Sequence, residues 1–129
     1  MKTKHIAGIL PAFALMVFWF ANAYATFDSH VHTGNGPIDT WPTISPSGTH
    51  NVKVCAPTSG TITAYLWTSE QGQFARIVRS DGASGTTSTS LTSRANILFA
   101  SYTDRHTSGV GKAYLADAAT YIPPCGTGN

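Results

Sequence analysis

The sequence predicts an all-β protein, a small antiparallel β-sandwich or a small barrel, and three observations carry that prediction. From His50 onward, short runs rich in Val, Ile, Thr and aromatic residues recur, each closed by Gly, Ser, Asp or Pro. This is the spacing of successive strands and turns. No stretch repeats its apolar residues at the helical interval over a useful length. The chain also has eighteen Thr, whose branched side chains sit well on a pleated surface.

The elements follow in chain order. Met1–His5 is basic, Ile6–Phe20 is an apolar run, and Ala21–Ala25 ends on the small-residue pattern Ala23-Tyr24-Ala25. Together these predict a cleaved signal peptide over residues 1–25 and a secreted or periplasmic product. The apolar run is 15 residues long and contains Gly8 and Pro11, whereas a spanning helix needs about 20. No permanent membrane anchor is expected. In residues 26–49, Gly34, Gly36, Pro37, Pro42, Pro46 and Gly48 stand too close together for a long regular element. An extended, irregular Gly/Pro-containing lead-in is expected there, with the sandwich domain over 50–129.

Strands are predicted at 50–55, 61–68, 73–80, 86–92, 94–102 and 109–115, with a further short one at 120–122 and a single helical turn over 116–120. In Gly60–Thr68 the alternation places Ile62, Ala64 and Leu66 on a core face and Thr61, Thr63, Tyr65 and Trp67 on the other. The tract Gly85–Ser93 is nearly all Ser and Thr, which predicts a solvated edge strand or a long loop. Cys55 and Cys125 are the two cysteines of the chain. In an exported protein they predict one disulfide, worth roughly 4 kcal/mol by the chain-entropy model for a closure of 70 positions.

Charge and motif content narrow the function classes. Beyond residue 25 there are six Lys or Arg and six Asp or Glu, scattered rather than clustered. Nucleic acid is therefore not an expected partner. There is no phosphate-binding loop, dinucleotide fingerprint, zinc-protease motif or nucleophile elbow. The run Thr103-Asp104-Arg105-His106-Thr107-Ser108 gathers reactive residue types, but it falls where a polar hairpin connection is expected. The segment Ser59–Tyr65 is similar to strand signatures of periplasmic lysozyme inhibitors, which are small exported β proteins. Its Gly-to-Tyr spacing departs from theirs, and nothing is carried over.

Two constellations remain. In Asp28-Ser29-His30-Val31-His32 an extended backbone puts both imidazoles on one side. They could share Cu or Zn if His50, His106 or Asp28 supplied a further ligand. The row Thr61, Thr63, Tyr65, Trp67 combines hydroxyls with amphipathic rings suited to stacking on a sugar or a protein surface. The leading expectation is a non-catalytic, cofactor-free binding module for a protein or cell-surface glycan at the cell exterior. The alternatives are a fibre subunit assembled by strand addition, hence a homo-oligomer, and a Cu/Zn-binding protein at His30 and His32.

Overall fold

The computed structural model describes residues 26–42, 48–91 and 97–126. The predicted signal peptide lies outside them. Eight strands run in chain order: β1 (Phe27–His32), β2 (Gly36–Thr40), β3 (Gly48–Cys55), β4 (Ser59–Thr68), β5 (Gly72–Ser80), β6 (Ser84–Leu91), β7 (Leu98–Ser108) and β8 (Gly111–Asp117). They form two antiparallel sheets, a back sheet in the order β1-β8-β3-β6 and a front sheet in the order β2-β7-β4-β5. Successive strands repeatedly cross between sheets, which is the winding of a jelly-roll sandwich.

The core lies between the sheets. Val52 and Val54 of β3, Ala113 and Leu115 of β8, Ile62, Ala64 and Leu66 of β4, Ile77 of β5, and Ile97 and Phe99 around the start of β7 are all buried there. The face of β4 assigned to the core is the one that packs. The Ser/Thr tract forms β6, an edge strand paired to β3 residue for residue from Gly48↔Leu91 to Cys55↔Ser84.

Three expectations need correction. Residues 26–49 are not an irregular lead-in throughout, because β1 and β2 lie within them and belong to the sandwich. Of the glycines that argued for irregularity, Gly34 lies in the connection over residues 33–35, and Gly36 and Gly48 stand at the heads of β2 and β3. Pro37 is tolerated because β2 is an edge strand and needs no donor on its open side. The run Thr103–Ser108 is not a connection either: it continues β7. A register shift opposite Ser59/Thr61 absorbs its polar residues, and Arg105 there has φ 53°. Residues 120–122 form no strand; a turn precedes them, in which Thr120 N–H donates to Asp117 C=O at 3.1 Å.

The disulfide Cys55–Cys125 is formed, with Cα atoms 5.8 Å apart. It ties the C-terminal tail to the outer side of the back sheet. Lys53 Nζ donates to Pro123 C=O at 3.1 Å and Lys112 Nζ to Cys125 C=O at 3.3 Å. Among the described residues no helix is long and apolar enough to cross a membrane.

Candidate functional site

The outer side of the front sheet is built by strict alternation along β4. Trp67 stands opposite Leu98 of β7 and Gln73 of β5, Thr63 opposite Tyr102 and Val78, and Thr61 opposite Asp104 and Ser80. Near the centre, Ala75 and Arg76 of β5 face the single Tyr65, a bulge in which Ala75 adopts φ 49°. Such a bulge re-aims the side chains beside it. Arg76 accordingly reaches Tyr102, whose phenol is held below its ordinary pKa by hydrogen bonds with Thr63 and then Arg76.

The predicted row divides on this face. Trp67 is 37% exposed and Tyr102 38%, and Tyr65 is half-buried between them. Thr63 is not displayed: it is 3% exposed, opposite Tyr102 in the β4–β7 register. Thr61 contributes structure more than surface, because its Oγ1 is bonded to Ser80 Oγ at 2.8 Å and accepts from Arg105 Nη2 at 3.4 Å. Tyr102 and Arg76 were not among the residues singled out from sequence. Only the β4–β7 register and the β5 bulge bring them beside Tyr65, and neither is written in local sequence.

At the Thr61 end the face opens into a polar recess of about 230 Å³ lined by Ser59, Gly60, Thr61, Ser80, Asp81 and Arg105. Asp81 (φ 51°) and Arg105 (φ 53°) both hold left-handed backbone in its wall, a conformation that non-glycine residues seldom adopt. From Thr61 to Trp67 the row spans about 20 Å at the usual strand rise. Trp41, one residue beyond β2, is 60% exposed.

His30 and His32 do share one side of β1, as their spacing predicts, but that side is the sandwich interior. They are 2% and 3% exposed. His30 Nδ1 lies 2.6 Å from Ser101 Oγ and its Nε2 lies 2.8 Å from Thr40 Oγ1, while His32 Nε2 lies 2.8 Å from the same Ser101 Oγ. Thr40 donates in turn to Asp28 Oδ2, and the His30 ring stacks on Phe99 at 4.2 Å. Burial lowers the pKa of both imidazoles; Asp28 and Asp39 partly offset this for His30, whereas His30 and His106 reinforce it for His32. Among the described residues no three His, Cys, Asp or Glu side chains are grouped to hold a metal ion. His50 is buried at the end of the core, and His106 bonds to Gly109 C=O at 2.7 Å.

No family model and no curated protein matches the sequence. Among solved structures the chain is similar to a carbohydrate-binding module from Cellvibrio mixtus lichenase 5A in complex with cellotriose (14% identity, 75% of this chain and 88% of that one, TM-score 0.39). It is also similar to RmlC from Streptococcus suis in complex with dTDP-D-xylose (9% identity, 80% of this chain but 48% of that one, TM-score 0.41). A third likeness is to Bacillus endospore appendages, described as disulfide-linked pili (12% identity, 72% and 89%, TM-score 0.28). These likenesses are too loose to bear on function.

Proposed function

We propose that this chain is a non-catalytic binding module of the cell exterior, and that it recognises a protein or a cell-surface glycan through the outer face of its front sheet. The observation that carries this reading is the cluster of rings on the front sheet: Trp67 and Tyr102, each more than one-third exposed, flank the half-buried Tyr65 beside the β5 bulge. The back sheet also exposes Phe27 and Val31 of β1, but there the disulfide-tied tail crosses the outer side. Rings so placed offer apolar area with polar tips, at little entropic cost because the sheet fixes them. The disulfide fits an oxidising compartment. The Asp28, His30 and Ser101 side chains resemble a hydrolytic triad in type, but Ser101 is fully buried and its hydroxyl is engaged by both imidazoles. No substrate reaches it.

The test is a binding screen against glycans and surface proteins, followed by Trp67→Ala. Loss of about 2 kcal/mol or more of binding energy is expected, as for other interface anchors, with the melting temperature retained. Unchanged affinity would remove this face from the reading. Metal handling at His30 and His32 has less support, since three of their four ring nitrogens are already taken by hydroxyls. Calorimetric titration with Cu(II) or Zn(II) decides it. Strand addition to neighbours is favoured by a different observation, the state of the sheet edges.

A further inference from the structure

A two-sheet sandwich has four edge strands, here β1, β2, β5 and β6, and an edge with unpaired N–H and C=O groups invites another chain unless it is blunted. Three of the four are blunted. On β1, Asp28 Oδ1 accepts the Ser29 N–H at 2.9 Å. β2 has five residues and contains Pro37. β5 carries the Ala75 bulge, and Arg79 Nη1 donates to the Val78 C=O at 2.8 Å. β6 has such a device only at its first residue, where Arg79 Nε reaches the Ser84 C=O. It runs eight residues, Ser84–Leu91, without a charge, a proline or a positive φ, in unbroken register with β3.

The phase of the ladder tells which groups are open. Ala56 N–H donates to Ala83 C=O at 2.9 Å, so that pair belongs to the hydrogen-bonded set, and in an antiparallel ladder the set recurs every second residue. Gly85, Thr87 and Thr89 therefore turn their backbone groups to β3. Ser84, Thr86, Ser88 and Ser90 turn theirs away, and all four are exposed. Arg79 Nε donating to Ser84 C=O at 3.3 Å fits this phase and closes that end. Thr86, Ser88 and Ser90 are left with outward N–H and C=O groups that no described strand pairs.

We propose that the occupant of this edge is a second copy of the same chain, its β6 lying antiparallel on the first about a two-fold axis at Ser88. The pairs are then Thr86 with the second copy's Ser90, Ser88 with Ser88, and Ser90 with Thr86, each exchanging two backbone bonds. The side chains argue for a copy of itself rather than another peptide. Every residue from Ser84 to Ser90 is Ser, Thr or Gly; a hydroxyl both donates and accepts, so the strand is complementary to itself and meets no like charge. A two-fold contact requires that self-complementarity. The back sheets of the two copies then join into one continuous sheet.

The experiment is sedimentation equilibrium of the purified, disulfide-intact chain across a concentration series, with amide hydrogen exchange on the same samples. A concentration-dependent dimer is expected, with the Ser88 amide protected in the dimer and exposed on dilution. Ser88→Pro removes an outward N–H and leaves the backbone bonds to β3 in place, and Ser88→Lys or Ser88→Glu sets like charges against each other across the axis; all three also give up the Ser88 Oγ bond to Asn51 Oδ1 at 2.6 Å. Each should weaken the dimer about tenfold or more, with melting lowered by no more than the loss of that one exposed bond explains, and mixing the Lys and Glu variants should restore a heterodimer. A monomer at every concentration overturns the proposal, as does a dimer indifferent to all three variants. Polymers that lengthen without limit overturn the two-fold pairing in favour of head-to-tail addition.

Discussion

At the scale of single residues, the chain Asp28–Thr40–His30–Ser101–His32, half-buried at its Asp28–Thr40 end and buried beyond it, has one proton arrangement that keeps both imidazoles neutral. The Asp28 carboxylate accepts from Thr40, which accepts from His30 Nε2–H; His30 Nδ1 accepts from Ser101, which accepts from His32 Nε2–H. Every donor is used once. Ser101→Ala strands a ring nitrogen on each side, and should cost about 1–3 kcal/mol in urea denaturation, the penalty for buried polar groups left unpaired. The pH dependence has a definite sign. Both rings titrate below their ordinary value of 6.5 in the fold, so under acid conditions the unfolded chain binds more protons than the folded one. Stability is therefore retained above that value and falls as pH drops below it toward the folded values. Melting temperatures measured down a pH series should show this decline. His32→Gln, which keeps an amide donor for Ser101 but cannot take up the proton, should flatten it. The sequence made the shared side of the two imidazoles legible, because a two-residue spacing on a strand fixes it. That the side faces inward was not legible, since it depends on pairing β1 with a strand that follows β2 to β7 in the chain.

At the scale of elements, β4 was readable and β1 and β2 were not, for one physical reason. β4 alternates Ile62, Ala64 and Leu66 with Thr61, Thr63, Tyr65 and Trp67, so its local pattern states both strand and orientation. β1 buries polar residues at the interior positions, His30 and His32, and the hydrophobic alternation that would reveal it is absent. Two glycines bear on how elements meet, and they should respond differently to Ala. A Cβ on Gly60 would lie 2.8 Å from His106 Cα, and the backbone there holds φ +140°. Neither can yield cheaply, so Gly60→Ala should destabilise by about 2 kcal/mol or more, within the range for a strained backbone combined with overpacking. A Cβ on Gly85 would lie 2.5 Å from the Arg79 guanidinium, the mobile end of a long side chain that can swing outward. Gly85→Ala should cost less than Gly60→Ala, by about 1 kcal/mol or more, because the only things lost are the guanidinium's bonds, and Ala suits a strand better than Gly. Chemical denaturation of the two variants side by side checks the ranking. Equal losses would mean that Arg79 is as immovable as the backbone of β7.

At the scale of the molecule, the disulfide lies on the sheet opposite the face proposed to bind. Cys55 ends β3 in the back sheet, and its partner Cys125 fixes a tail that Lys53 and Lys112 also hold. The rings of the front sheet, Tyr65, Trp67 and Tyr102, lie on the opposite exterior, with the apolar core between. The link closes a separation of 70 residues, and a cross-link of that span restricts the unfolded chain enough to be worth roughly 4 kcal/mol. That is a large share of the stability of a small domain, about 5–15 kcal/mol. The paired change Cys55→Ala with Cys125→Ala should therefore lower the denaturation midpoint substantially. If the proposed front-sheet face binds, the variant should nevertheless keep its affinity below its melting temperature, because Tyr65, Trp67 and Tyr102 are placed by the β4–β7 register on the sheet opposite the tail. Measuring stability and affinity on the same preparation separates the two roles. If affinity falls while the near-ultraviolet signature of packed aromatics persists, recognition involves the tail-covered face, and the functional surface must be reassigned to the back sheet.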